Sequence, residues 1–193
     1  MCGRFEAGLT EFDLADYREA IEKIAPKVTT TFEPQEAFPS QKLPIITQEG
    51  LSQANWGYPL NKNLVINARS ETITTKPMFS HAIIEQRCLI PAKSYYEWKH
   101  SKVKYQVNME PMMTMAGLLL DSPQGKRFVI ITTEANEQIK AIHHRMPVLL
   151  RPEQLSDYLF DTPSALAMLK PYEDQLHLTA LSPEQLSLFD FLP

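Results

Sequence analysis

A chain of 193 residues, 44% hydrophobic and 22% charged, can bury a core of its own, which excludes a disordered chain and any need for disulfide or metal staples. Its net charge of -4 argues against a partner held mainly by phosphate neutralisation. That acidity is concentrated at the end, because residues 1–150 hold 17 Lys/Arg against 16 Asp/Glu and residues 151–193 hold 2 against 7. Between Arg87 and Lys104 the bases Arg87, Lys93, Lys99, Lys102 and Lys104 face only Glu97, a pattern that reads equally as one basic surface or as a solvated face. Apolar runs such as Met115–Leu120 and Val129–Ile131 are too short to span a bilayer, and no cleavable signal pattern opens the chain. Two cysteines, Cys2 and Cys88, make neither a disulfide framework nor a metal cluster. The expectation is a single cytoplasmic domain over 1–193, with no metal, no cofactor and no membrane partner.

In chain order, Thr10 can cap a helix over about 11–24, where Phe12, Leu14, Ala15, Ile21 and Ile24 supply the apolar pattern. Residues 29–45, with Pro34, Pro39 and Pro44, read as an irregular loop. Short apolar or aromatic runs at Leu64–Asn67, Arg87–Ile90, Tyr95–Trp98, Val103–Val107, Met112–Leu120 and Phe128–Thr132 read as strands of one sheet. Helix signals return at Glu134–Ile142, at Pro152–Leu159 with proline at a first helical position, and at Pro163–Leu169. Strands joined mainly by short loops predict an antiparallel α+β fold. With only 6 glycines there is no phosphate-binding fingerprint.

Four polar features interrupt this apolar pattern. Cys2 follows the initiator methionine, and removal of Met1 would place an α-amine and a thiol on neighbouring atoms. An aldehyde would condense with that amine, and the thiol could then close a five-membered thiazolidine. Taken alone, Cys2 reads as an ordinary buried cysteine. Asn67 and Arg69 end a strand and would share one of its faces. Glu97 sits among aromatics, where partial burial would raise its pKa toward neutrality and suit it to proton transfer. His143 and His144 precede Arg145-Met146-Pro147 at a helix end. Each has a plainer reading, with Arg69 and Glu71 as a surface ion pair, Glu97 as an exposed strand residue, and either histidine as a helix-end cation.

Together these segments resemble the SRAP family, the SOS-response-associated proteins that crosslink to abasic sites in DNA. The resemblance is carried by Met1-Cys2-Gly3-Arg4-Phe5, Trp56-Gly57, Asn67-Ala68-Arg69-Ser70-Glu71-Thr72, Arg87-Cys88-Leu89-Ile90-Pro91-Ala92, Tyr95-Tyr96-Glu97-Trp98, Ala116-Gly117-Leu118 and His143-His144-Arg145-Met146-Pro147, in family order. It implies one α+β domain with a twisted, barrel-like, mainly antiparallel sheet, flanking helices and a groove for single-stranded DNA. It also implies Cys2 as the nucleophile toward the ring-opened sugar aldehyde, Glu97 as the acid/base, Asn67 as the residue that positions amine and sugar, and His143 as the assistant to ring opening. His144 fills the variable position and is not assigned. Arg4, Arg69 and Arg145 are implied as phosphate contacts. Trp56 or Trp98 is open to base stacking or core packing. Removal of the chain's own Met1 and a lyase-type release follow from the same resemblance. Tyr58-Pro59, Ser94 and Leu119 depart from the family pattern and bear on groove shape rather than chemistry.

Residues 182–193 form a separate tail, where Gln185, Leu186, Leu188 and Phe189 resemble a sliding-clamp-binding peptide that would anchor through apolar side chains; the alternative is a tail folded on its own core. A monomer suffices for the chemistry. A cysteine peptidase acting on other proteins and a non-covalent single-stranded DNA-binding module remain the competing readings.

Overall fold

The computed structural model describes residues 2–99 and 103–181. Its strands are β1 (Phe5–Leu9), β2 (Phe32–Ala37), β3 (Lys42–Thr47), β4 (Gly50–Trp56), β5 (Tyr58–Leu60), β6 (Asn63–Val65), β7 (Asn67–Arg69), β8 (Arg87–Trp98), β9 (Lys104–Asn108), β10 (Met113–Leu120), β11 (Arg127–Glu134), β12 (Arg145–Pro147), β13 (Leu149–Leu150) and β14 (His177–Ala180). The α-helices are short: α1 (Glu11–Ala20), α2 (Pro77–Ser80), α3 (Ala82–Glu85), α4 (Glu137–Lys140), α5 (Leu155–Phe160) and α6 (Thr162–Ala167).

Five strands close on themselves. β10 pairs with β11, β11 with β4, β4 with β3, β3 with β8, and β8 returns to β10, so this ring has no open edge. The fold is the expected α+β domain with a barrel-like sheet. Pairing is mostly antiparallel, but β11 runs parallel to both β4 and β7, which the short-loop reading did not anticipate. Alternation along the ring strands makes two cores. Ile90, Phe128, Ile130, Ile45 and Trp56 pack with Phe5 and Cys2 inside the barrel. The intervening Leu89, Val129, Ile131 and Ile46 pack outward against Leu14, Tyr17, Leu155 and Tyr158 of α1 and α5.

Arg87 ties those two layers together. Its guanidinium, 3% exposed, donates to the carbonyls of Ile83 (2.7 Å), Ile84 (2.6 Å), Tyr158 (2.5 Å) and Leu159 (2.9 Å), at the C-terminal ends of α3 and α5. Those carbonyls have no partner inside their own short helices, so a fixed cation satisfies them. Lys104 is also 3% exposed and pairs with Glu36 at 2.8 Å, while Lys93 pairs with Asp13. The basic surface considered for this stretch is therefore not formed by these three residues, whose charges are spent internally.

Three other expectations change. Residues 29–45 carry β2 and β3 rather than an irregular loop. Pro34 is tolerated because β2 is the sheet's edge strand, and Pro44 because β3 pairs with β8 only at Ile46. The first helix ends at Ala20 and continues as a 3₁₀ turn over Glu22–Lys27. Its buried face is Leu14 and Tyr17, whereas Phe12 is 85% exposed. At its start, the Asp13 carboxylate accepts from the Thr10 N–H (2.6 Å) and hydroxyl (2.7 Å), so the cap works through Asp13 as much as Thr10.

One irregularity positions the site. β1 pairs with β8 through Ala7 opposite Ala92 and then Glu6 opposite Ser94, so Lys93 is an extra residue on β8, a bulge. Before it, Cys88, Ile90 and Ala92 face the barrel interior. After it, the parity flips and Tyr95 points inward, with Glu97 on the same face.

Candidate active site

Cys2 lies at one mouth of the barrel with its side chain buried against Phe5 and its neighbours. The N-terminal strand is held to β8 by the Tyr96 N–H, which donates to the Arg4 carbonyl at 2.9 Å. From the other side, Asn67 Nδ2 donates to the Cys2 carbonyl at 3.0 Å. Asn67 is itself fixed, because β7 pairs with Ile130 of β11 and Trp56 Nε1 donates to the carbonyl of Ile66 at 3.1 Å. Gly57 makes the turn after Trp56 with φ of 99°, a left-handed conformation suited to glycine, and its N–H donates to the Phe128 carbonyl at 2.8 Å. The Trp56-Gly57 and Asn67 segments thus build one support for the backbone of Cys2.

Burial pushes the Cys2 thiol well above its ordinary range, and the nearby Glu97 carboxylate pushes it further. The thiol is therefore protonated at neutral pH, not a ready thiolate. Glu97 is 3% exposed, and burial raises its pKa above the ordinary 4.5, partly opposed by the charge of His144. A carboxyl that holds its proton more tightly than an exposed one is better suited to give and take a proton within the site. His143 Nδ1 lies 3.0 Å from the Arg145 nitrogen and 3.2 Å from the Arg145 carbonyl oxygen, so the backbone of Arg145 fixes the orientation of the ring. The rings of His143 and His144 stack with centroids 4.4 Å apart, and His143 holds the pKa of His144 below its ordinary value. Beside them is a depression of about 380 Å³ lined by Arg69, Glu134, Ala135, Lys140, His144 and Arg145. Among the described residues, no group of three His, Cys, Asp or Glu is placed to hold a metal ion.

The family model described as SOS response associated peptidase (SRAP) matches residues 1–185. The chain belongs to the SRAP family. Among its SRAP relatives, the "abasic site processing protein" YoqW of Bacillus subtilis is 32% identical over 200 residues, covering 90% of this chain and 88% of the relative. YoaM of the same organism, named likewise, is 36% identical over 182 residues, covering 82% of this chain and 79% of the relative. The similarly named YedK of Escherichia coli is 28% identical over 178 residues. In fold, the chain superposes on a crystal structure from Bordetella bronchiseptica with a TM-score of 0.76 at 21% identity, covering 94% of this chain and all of that one (100%). A protein from Bacteroides thetaiotaomicron gives 0.72 at 22%, covering 95% and 93%.

Not every residue singled out from the SRAP motifs meets at this mouth. Trp56 is fully buried, edge-on to Phe5 and stacked on Phe128, so it is a core residue and cannot offer a face to a base. Trp98 is half-buried on the opposite face of β8, where the Arg4 guanidinium lies 5.1 Å from its ring and 4.6 Å from that of Phe38. Arg4 also lies 3.6 Å from Glu36. The Arg145 guanidinium is buried and turned away from solvent, with bonds to both Glu71 oxygens (2.6 and 3.0 Å) and to the Thr132 carbonyl (2.8 Å). This corrects the pairing read for Glu71, whose partner is Arg145 rather than Arg69, and it holds the Glu71 carboxyl below its usual range. Arg69 is exposed in the depression. Lys140 joins it there, unassigned from sequence because a lysine in a helix's last turn reads as a dipole partner. Gln185, Leu186, Leu188 and Phe189 lie outside the described residues.

Proposed function

We propose that this chain captures abasic sites in single-stranded DNA by forming a thiazolidine with Cys2 once Met1 has been removed, and so shields the damaged strand. The observation that carries this reading is the meeting of Cys2, Asn67 and Glu97 at one mouth of the barrel, beside the two histidines and Arg69. The names of the relatives as abasic site processing proteins support the substrate.

In this mechanism the amine of Cys2, positioned through Asn67, attacks the sugar aldehyde while the buried thiol waits in its protonated form. His143 helps open the sugar ring, and Glu97 takes and returns the protons of condensation and ring closure. Arg69, with Lys140 close by, holds an adjacent phosphate. Removal of Met1 by Cys2 and Glu97, acting once on the chain itself, belongs to the same proposal, as does slow lyase-type release by the reverse steps. A chain that retains Met1 has the Cys2 nitrogen in a peptide bond and cannot close the ring. Docking of the tail around Leu188 and Phe189 on a sliding clamp is a further element of the proposal.

The test is intact-mass analysis of Met1-free protein with single-stranded DNA carrying one abasic site, beside Cys2→Ala and a Met1-retaining form. The expected product has the mass of protein plus DNA minus water, survives heat without borohydride, and appears only with a free Cys2 terminus. Binding without an adduct would move the chain to the non-covalent module, and hydrolysis of unrelated peptides would move it to the peptidase.

A further inference from the structure

Tyr95 reaches the same interior and has no part in the steps above. It follows the Lys93 bulge, shares the inner face of β8 with Glu97, and is fully buried. Its hydroxyl has no hydrogen-bond partner among the described residues. The other two fully buried tyrosines do not leave theirs idle, since Tyr17 bonds Thr114 at 2.6 Å and Tyr158 donates to the Gly117 carbonyl at 2.9 Å. A buried hydroxyl left unpaired costs roughly 1–3 kcal/mol, so the position is suited to a partner that arrives during turnover. After burial, the ionisable groups bearing on Tyr95 are Cys2 first and Glu97 second.

We propose that the Tyr95 hydroxyl donates a hydrogen bond to the Cys2 sulfur during ring closure, an inference that rests on the thiazolidine reading. In that step a bond forms from Sγ to the imine carbon, the C=N π pair moves to nitrogen, and the thiol proton passes by way of Glu97 to that nitrogen. Nothing is oxidised or reduced and no group leaves. Negative charge develops on sulfur in surroundings that disfavour a thiolate, and a fixed phenol donor offsets that cost. Imine formation uses the amine alone and needs no such donor.

Tyr95→Phe keeps the ring and its packing, which makes it the discriminating variant. With Met1-free protein and an abasic single-stranded oligonucleotide, the borohydride-trapped imine is expected to form at the native rate. The heat-stable product should appear about tenfold more slowly at pH 7, equivalent to about 1.4 kcal/mol in the barrier. The deficit should persist between about pH 6 and pH 9, because the buried Cys2 thiol is held well above its ordinary range and free thiolate does not replace the donor. Tyr17→Phe, which removes a buried hydroxyl in the outer core, should leave closure unchanged. A native closure rate in Tyr95→Phe overturns the proposal, as does equal slowing of imine and ring. Absence of any adduct from the native protein overturns the thiazolidine reading instead.

Discussion

At the scale of single residues, the site works by burying groups that water would otherwise hold in their ordinary protonation states. Glu97 shows the consequence most directly. Its folded pKa lies above the unfolded 4.5, so the folded state binds the proton more tightly. That stabilisation is fully present below about pH 4.5 and is lost as pH rises through the folded pKa, above which a carboxylate occupies an interior position. Glu97→Gln, neutral throughout, should therefore be more stable than the native chain at pH 8 and nearly equal to it at pH 4, while losing adduct formation. Urea denaturation at the two pH values checks this; a gain of equal size at both would mean that the ionised carboxylate is not what limits stability. The histidines carry the same lesson about position, since the backbone of Arg145 orients the His143 ring through its Nδ1 and His143 in turn stacks on His144.

At the scale of elements, the decisive feature is one extra residue in β8. Alternation from Cys88 through Ala92 would turn Tyr95 and Glu97 outward, and Lys93 reverses that parity. Lys93→Ala removes the ion pair with Asp13 but keeps the bulge, so adduct formation should stay within about twofold, with a stability change of about 1 kcal/mol or less. Deleting Lys93 should abolish the adduct, because Glu97 is then carried to the other face or the strand fails to pair. Crosslinking yield per folded molecule, with folding followed by circular dichroism, distinguishes the two variants. Normal crosslinking after deletion would mean that β8 tolerates either parity.

At the scale of the whole molecule, the barrel is locked to its helical layer by a buried cation rather than by apolar contact alone. Arg87→Met preserves much of the side-chain volume but removes the guanidinium from the carbonyls of Ile83, Ile84, Tyr158 and Leu159, leaving Ile84 only the Thr162 hydroxyl and Leu159 only the Gln48 amide as side-chain donors. The expected loss is about 3 kcal/mol in urea unfolding, with crosslinking by the remaining folded protein unchanged. A loss below about 0.5 kcal/mol would show that water satisfies those carbonyls instead.

The sequence alone determined the α+β class and most of the central strands, because apolar alternation is a local property of a chain, and its short ordered motifs singled out Cys2, Asn67 and Glu97 as candidates. It also carried the family, since several motifs in fixed order are far more specific than any one of them. Only the tertiary structure decided which face each motif residue occupies. Trp56 and Trp98 look alike as aromatic residues beside motifs, yet closure of the barrel buries one and leaves the other half-exposed. Arg69 and Arg145 look alike as cations, yet Glu71 claims the second across a sequence separation of 74 residues. The prolines of β2 and β3 hid two strands because what makes them tolerable, the edge position of β2 and the pairing of β3 with β8 at Ile46 alone, exists only after the sheet has assembled. Tyr95 and Glu97 reach the interior through a bulge that depends on the register between β1 and β8, a long-range pairing that no window of sequence contains.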